Sequence, residues 1–292
     1  MHKPVTTKIM TKCLPSKYLF LTFLGVIFLV PLKSKAQGDL LLYPKRIVFE
    51  GSKKYQTLNL ANSGKDSVRY LISVVQGRMN ADGVFETISQ PDSGQHFADK
   101  YFRFFPRNVV LGPNEAQSVK MQLINTSGLE PGEYRSHIYM RAEPDKRPFG
   151  EVEPGSDSSS ISVNLKAVFG ISIPVIIRVG ESTTQISISN ATFAFIKDSI
   201  PSLKVTFNRT GNMSVYGDIS VDHISLQGKV TRIAIAKGMA LYTPNLVRHF
   251  NLLLDKNRHI DYHEGRLQIK YTTQPDAKSL NIAETEIALG IL

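Results

Sequence analysis

Tryptophan is absent from the 292 residues, and cysteine occurs once, as Cys13. A disulfide scaffold and a cysteine zinc site are therefore excluded. Without tryptophan, a carbohydrate-binding module would have to build its sugar platform from tyrosine and phenylalanine alone. Acidic residues are missing from the first 36 positions, and no long stretch repeats apolar residues with the 3.6 period of a helix. A Gly-x-Ser-x-Gly elbow, a phosphate-cradling glycine loop and an evident acid–base pair are also lacking. The chain reads as a non-enzyme that needs no metal and no cofactor.

In place of acids, the N-terminus carries Lys3, Lys8, Lys12 and Lys17. An almost wholly apolar run from Tyr18 to Leu32 follows, and then Ser34-Lys35-Ala36, with small residues at the −3 and −1 positions of a cleavage site. This layout predicts a secretory signal peptide over residues 1–36, its apolar run being short for a membrane span. Its removal takes Cys13 and six lysines, including Lys33 and Lys35, but no acid. The balance becomes 29 basic against 25 acidic residues, a net charge of +4 instead of +10. Most of the basic excess is thus an export signal, and nucleic acid is not expected as a partner. The 256 residues left are enough for a good core without staples, and for two domains of ordinary size.

Short alternating or β-branched runs then succeed one another. In the first half they are Arg46–Phe49, Gln56–Ala61, Arg69–Val75, Tyr101–Phe105, Ser118–Leu123 and Ser136–Arg141, separated by turns such as Asn62-Ser63-Gly64-Lys65 and Gly112-Pro113-Asn114. In the second they are Gln185–Asn190, Leu203–Phe207, Val215–Val221, Val230–Ala234, His249–Leu254, Leu267–Tyr271 and Ile282–Leu289. Asp99–Phe105 and Leu246–Leu254 are the two places where a helical turn could hide. The pattern predicts an all-β protein of two immunoglobulin-like β-sandwich domains in tandem, over residues 37–180 and 181–292.

One run is out of scale. Every second residue from Ile161 to Ile177 is apolar: Ile161, Val163, Leu165, Ala167, Phe169, Ile171, Ile173, Val175 and Ile177. As one strand it would extend ~55 Å, about three times the usual length. Pro174 lacks the N–H of a central strand, so at least the C-terminal part is expected at an edge or a bend. A long apolar edge is open to pairing with any other chain. The polar loop from Pro144 to Ser160, ahead of it, is expected to be the most mobile segment.

Three segments carry a family resemblance: Pro44-Lys45-Arg46-Ile47-Val48-Phe49-Glu50-Gly51, the stretch from Leu111 to Lys120, and Leu129-Glu130-Pro131-Gly132-Glu133-Tyr134-Arg135-Ser136-His137-Ile138-Tyr139-Met140-Arg141. Together with the long strand, they resemble the periplasmic chaperones of the chaperone–usher pilus pathway, the PapD-like family, over about residues 40–178. The resemblance implies a periplasmic protein that binds pilin or fimbrial subunits by donor-strand complementation. Alternate apolar side chains would fill the subunit's open groove, and the subunit would be delivered to an outer-membrane usher. By the same resemblance Ile161, Val163, Leu165, Ala167, Phe169 and Ile171 form the donor strand. Arg46 anchors the subunit's terminal carboxylate through two charge-assisted bonds. The family's second anchor is a lysine; Ser172 stands at its aligned position, and Lys166 has the right parity six residues earlier.

Two rival readings stay open from sequence: a structural or adhesive surface protein of two such domains without a client, and a secreted β-sandwich hydrolase or carbohydrate-binding module. Self-association of the free form is a second way to cover the edge. His259-Ile260-Asp261-Tyr262-His263-Glu264 groups metal-ligand types but precedes a strand, and is read as a solvated hairpin turn. The sequons at Asn125, Asn190, Asn208 and Asn212 carry no weight in a bacterial periplasm. N-terminal sequencing of the exported protein should begin at Gln37; Met1 retained in a membrane fraction would instead establish an anchored protein.

Overall fold

The computed structural model describes residues 39–143, 168–256, 260–273 and 281–290. The expected signal peptide, the Pro144–Ser160 loop, the Ile161–Ala167 part of the long alternation and His259 lie outside them. Strands dominate: β1 (Leu40–Tyr43), β2 (Ile47–Phe49), β3 (Tyr55–Asn62), β4 (Val68–Val75), β5 (Gly77–Met79), β6 (Phe85–Thr87), β7 (Phe102–Phe105), β8 (Asn108–Leu111), β9 (Ala116–Leu123), β10 (Gly132–Glu143) and β11 (Gly170–Val179) in the first half. β12 (Gln185–Ile196), β13 (Ile200–Thr210), β14 (Val215–Ile224), β15 (Val230–Leu241), β16 (Val247–Leu253), β17 (Arg266–Thr273) and β18 (Asn281–Ala288) follow. No helix among the described residues is long and apolar enough to cross a membrane.

The first sandwich packs a sheet of order β1-β3-β9-β7 on one of order β2-β11-β10-β4-β8. Period-two alternation fills the space between them with Leu58, Leu60, Val119, Met121, Ile138, Met140, Ile173, Val175 and Ile177. The chain changes sheets at Pro44–Arg46. Pairing with β3 ends at Tyr43, and Ile47–Phe49 runs parallel to Val175–Ile177 of β11. The second sandwich packs β12-β13-β16 on β15-β14-β17-β18. Phe207 meets the Tyr271 ring edge-on at 5.3 Å, and the buried Tyr271 hydroxyl donates to the Met239 carbonyl at 2.9 Å.

Three features depart from expectation. The Asp99–Phe105 stretch does open on a single 3₁₀ turn, Asp99–Tyr101, but Leu246–Leu254 supplies strand β16. β1, β8 and the β5–β6 hairpin occupy stretches not expected to be strands, because each is only three or four residues long. And the C-terminal part of the long run is not an edge: β2 covers Val175–Ile177, while Pro174 lies just before that pairing begins.

The β5–β6 hairpin crosses to the second sandwich. His249 N–H donates to the Ala81 carbonyl at 2.8 Å, and the Asn245 side-chain amide donates to the Met79 carbonyl. Gly83, at φ +82, takes a left-handed conformation that only glycine adopts without strain, with the Arg248 guanidinium packed against it. Met79, Ile176 and Tyr242 form a small buried cluster between the sandwiches.

Asn62 closes the end of the first core. Its amide donates to the carbonyls of Asp66 at 2.8 Å and of Leu111 and Gly112 at 3.1 Å, and its Oδ1 accepts from Gly64 N–H at 2.9 Å. Asn62→Ala should cost about 2–4 kcal/mol, because buried carbonyls lose their donor. A denaturant titration checks this, and an unchanged midpoint would refute the role.

Candidate functional site

In β10 the even positions Tyr134, Ile138 and Met140 enter the core, so Glu133, Arg135, His137 and Tyr139 project from the other face. The antiparallel register sets Arg178, Ile176, Pro174 and Ser172 of β11 opposite these four. This two-strand face is turned toward the second sandwich, from which Arg209, Ser214, Tyr216 and Tyr242 approach it.

Charge on this face is unbalanced. Glu133, 2% exposed, accepts from Ser214 N–H at 2.9 Å and from its hydroxyl at 2.5 Å. Arg178 lies 3.5 Å from the same carboxylate oxygen and donates to the Ser214 carbonyl at 2.7 Å. Arg135, also 2% exposed, lies over the Tyr242 ring at 4.1 Å and donates to the Thr243 carbonyl at 3.1 Å, while its Nε and Nη1 have no partner. Arg46 lies over the Tyr216 ring at 4.2 Å, with its Nε buried and unpartnered. Burial lowers the pKa of Arg46, Arg135 and Arg209, and Glu133 opposes the shift in each case. A guanidinium stays charged regardless. Arg46, Arg135, Arg178 and Arg209 thus outnumber the two acids beside them, the buried Glu133 and the exposed Glu50, which lies 3.7 Å from Arg178, and the site is one that an anion would complete.

The second element is a free strand edge. Ala142 N–H donates to the Phe169 carbonyl. Antiparallel alternation then directs the backbone groups of odd residues of β11 at β10 and those of even residues away from it. Beyond Val175 the lane on that far side is filled by β2, running parallel. Alongside Gly170–Pro174 no strand occupies it among the described residues. The N–H and C=O of Gly170 and Ser172 and the C=O of Pro174 face this gap. The missing N–H of Pro174 therefore breaks no bond to β10. Arg46, the residue before β2, stands at the downstream end of the gap.

Between the β5–β6 hairpin and the even face of β11 lies a cavity of about 540 Å³, lined by Phe85, His137, Tyr139, Ser172, Pro174 and Tyr242 among others. His137 packs edge-on against Phe85 at 5.3 Å.

The expected site residues are distributed unevenly in this geometry. Arg46 is in the cationic cluster. Phe169 is 54% exposed, whereas Ile171 is half-buried against the chain's own core. Ile161, Val163, Leu165, Ala167 and Lys166 lie outside the described residues. Ser172 lines the cavity instead of carrying a charge. Arg135, Arg178 and Glu133 were not singled out, although the alternation Glu133-Tyr134-Arg135-Ser136-His137 already put Glu133 and Arg135 on one face; Arg178 joins them only through the β10–β11 register. Within the expected hairpin turn, Asp261 and His263 are exposed but Tyr262 is buried. It stacks on Phe193 at 5.4 Å and donates to the Asp255 carbonyl at 2.6 Å. No cluster of metal-ligand types occurs among the described residues.

His137 gives this face a pH signature. Burial first, and then the Arg135 charge, lower its pKa to about 4. An unfolded histidine titrates near ~6.5, so the unfolded chain holds more protons between these values. Its contribution is complete above ~6.5 and is lost as the pH falls toward 4, about 3 kcal/mol in all. His137→Phe should flatten the dependence of unfolding free energy on pH across that window. An unchanged slope would show that His137 is not held neutral.

No family model and no curated protein matches the chain. Solved structures similar to it include the Pseudomonas aeruginosa CupB2 chaperone, at 12% identity and TM-score 0.42, covering 86% of this chain and 100% of that one. The E. coli chaperone DraB matches at 12% identity and TM-score 0.39, covering 87% and 97%. A complex of the Salmonella enterica SafA pilin with the SafB chaperone matches at 15% identity and TM-score 0.37, covering 87% and 97%.

Proposed function

We propose that this protein is a periplasmic chaperone that captures a strand-deficient pilin-type subunit on the free edge of β11 and hands it to an outer-membrane usher. The observation that carries this reading is the lane beside β11, filled by β2 downstream of Arg46 and, among the described residues, open upstream of it. A strand added there would use the backbone groups of Gly170, Ser172 and Pro174, as in β-augmentation.

Its direction follows from charge. Laid parallel to β11, in line with β2, the added strand would end at Arg46 and bring a terminal carboxylate to the cationic cluster. Laid antiparallel, it would bring an ammonium group to the same guanidiniums and be repelled. Arg46 and Arg135, each with an unpartnered buried nitrogen, are the groups suited to grip that carboxylate. Phe169 and the upstream positions Ile161, Val163, Leu165 and Ala167 would supply the apolar side chains for the subunit's groove. Each is worth ~1.5–3 kcal/mol when buried, so the hold is firm yet exchangeable for another strand.

Two substitutions test this by co-purification of a small β subunit from the periplasm, identified by mass. Arg46→Ala should weaken capture roughly ten- to hundred-fold, the cost of about 1.5–3 kcal/mol for a charged hydrogen-bonded pair. The melting temperature should hold or rise, because a buried excess cation is removed. Ser172→Pro deletes an N–H that faces the gap, so the fold should persist while capture is lost. Subunit retention equal to wild type in both variants would overturn the reading and favour a clientless surface protein.

A further inference from the structure

The outer face of the β1-β3-β9-β7 sheet takes no part in the strand edge, which belongs to the opposite sheet, or in the cationic cluster between the sandwiches. Leu58, Leu60, Val119 and Met121 take one parity of its two central strands into the core, so the other parity faces outward. The register aligns Tyr43 with Asn59 and Ser118, Phe105 with Lys120, and Tyr55 with Gln122 and Arg103. Three rings thus stand on one face. Phe105, Tyr43 and Tyr55 are 76%, 72% and 69% exposed, and no other large apolar side chain among the described residues is more exposed than these. At ~4.8 Å between strands and ~3.4 Å per residue, their Cα atoms lie roughly 12–16 Å apart.

Polar side chains separate the rings. The Ser118 hydroxyl donates to Asn59 Oδ1 at 2.7 Å, which leaves Asn59 its own amide donors, and the Gln122 amide donates to the Tyr55 hydroxyl at 3.2 Å. Lys120 and Arg103 are exposed, and neither forms an ion pair among the described residues. None of the outward positions across the four strands is an acid.

A membrane or a protein partner would call for a contiguous apolar patch. Isolated rings set among amides and hydroxyls suit a polymer that repeats an apolar face with a polar rim. A pyranose chain has that form: its C–H face stacks on an aromatic ring, and its edge hydroxyls meet polar side chains. The unbalanced cations make the complementary charge negative. They stand on adjacent strands, ~8 Å apart diagonally, so each meets a separate acidic group along such a chain.

We propose that this face binds an acidic polysaccharide, a chain of carboxylate-bearing pyranose units. Tyr43, Tyr55 and Phe105 would be its stacking rings, and Lys120 and Arg103 its charge partners. Tyrosine and phenylalanine alone build the platform, as a chain without tryptophan requires. The inference does not depend on strand capture, and glycan and captured strand would bind on different sheets without competing.

The test titrates the mature full chain with oligogalacturonate by calorimetry, beside its methyl-esterified form, polyglutamate and phosphatidylglycerol vesicles. Oligogalacturonate should bind about tenfold or more tighter than the neutral ester or the acidic polypeptide, since charge and rings act together. Tyr43→Ser and Phe105→Ser should each weaken it about three- to tenfold, and Phe105→Tyr should restore it. Lys120→Gln should cost about two- to fivefold, the worth of an exposed charge pair. Thermal melts should match wild type, because all three side chains are exposed. Equal binding of polyglutamate would reduce the face to a charge effect and overturn the proposal. Vesicle binding that is lost in Phe105→Ser, without oligogalacturonate binding, would overturn it in favour of a membrane surface. No binding of oligogalacturonate, or binding indifferent to the ring substitutions, would overturn it outright.

Discussion

Between the two sandwiches the carboxylate of Glu133 is buried, held by both donors of Ser214 and approached by Arg178 at 3.5 Å, with Arg46, Arg135 and Arg209 close enough to feel its charge. Removing a charge from water costs several kcal/mol unless it is paired and bonded, and Glu133 with the exposed Glu50, 3.7 Å from Arg178, cannot pair four cations. The remaining excess is borne by tyrosine faces: Tyr216 under Arg46 and Tyr242 under Arg135. Both rings come from the second half of the chain and both arginines from the first, so the aromatic cover of these guanidiniums is in place only when the sandwiches are together. This constraint ties the charge of the site to the arrangement of the whole molecule.

The strand pair β10–β11 organises that arrangement. Its alternation gives one set of side chains to the first core and the other to the inter-sandwich face, within the same ladder. β2 fills only part of the outer lane, so among the described residues one strand is central at Val175–Ile177 and an edge at Gly170–Pro174. An edge is ordinarily a hazard of uncontrolled pairing. Here it ends against Arg46, and under the proposed function that charge would restrict which strand, and which end of it, can dock.

The β5–β6 hairpin adds a different constraint. Its bonds to Asn245 and His249 bring Phe85 over His137, and so turn an open sheet face into a walled cavity. The ring of Tyr139 extends that wall over Gly170. A local insertion between two strands of the first sandwich thus shapes the space beside the edge without touching the ladder itself.

The all-β class, most strands and the unusual run from Ile161 were legible from period-two alternation, because a half-buried strand has to alternate. The short strands β1, β5, β6 and β8 were not, since three or four residues carry too few repeats to stand out. Arg46 could be singled out by its segment, but the sequence by itself could not say that it lies over Tyr216, 170 positions later. The same holds for Pro174. Its missing N–H marked an edge somewhere, and only the parallel docking of β2 decided that the edge lies upstream of it. Alternation is a local property that each strand writes into its own residues. Partners across a sheet or between sandwiches are chosen by packing and charge over long separations, and no local pattern records them.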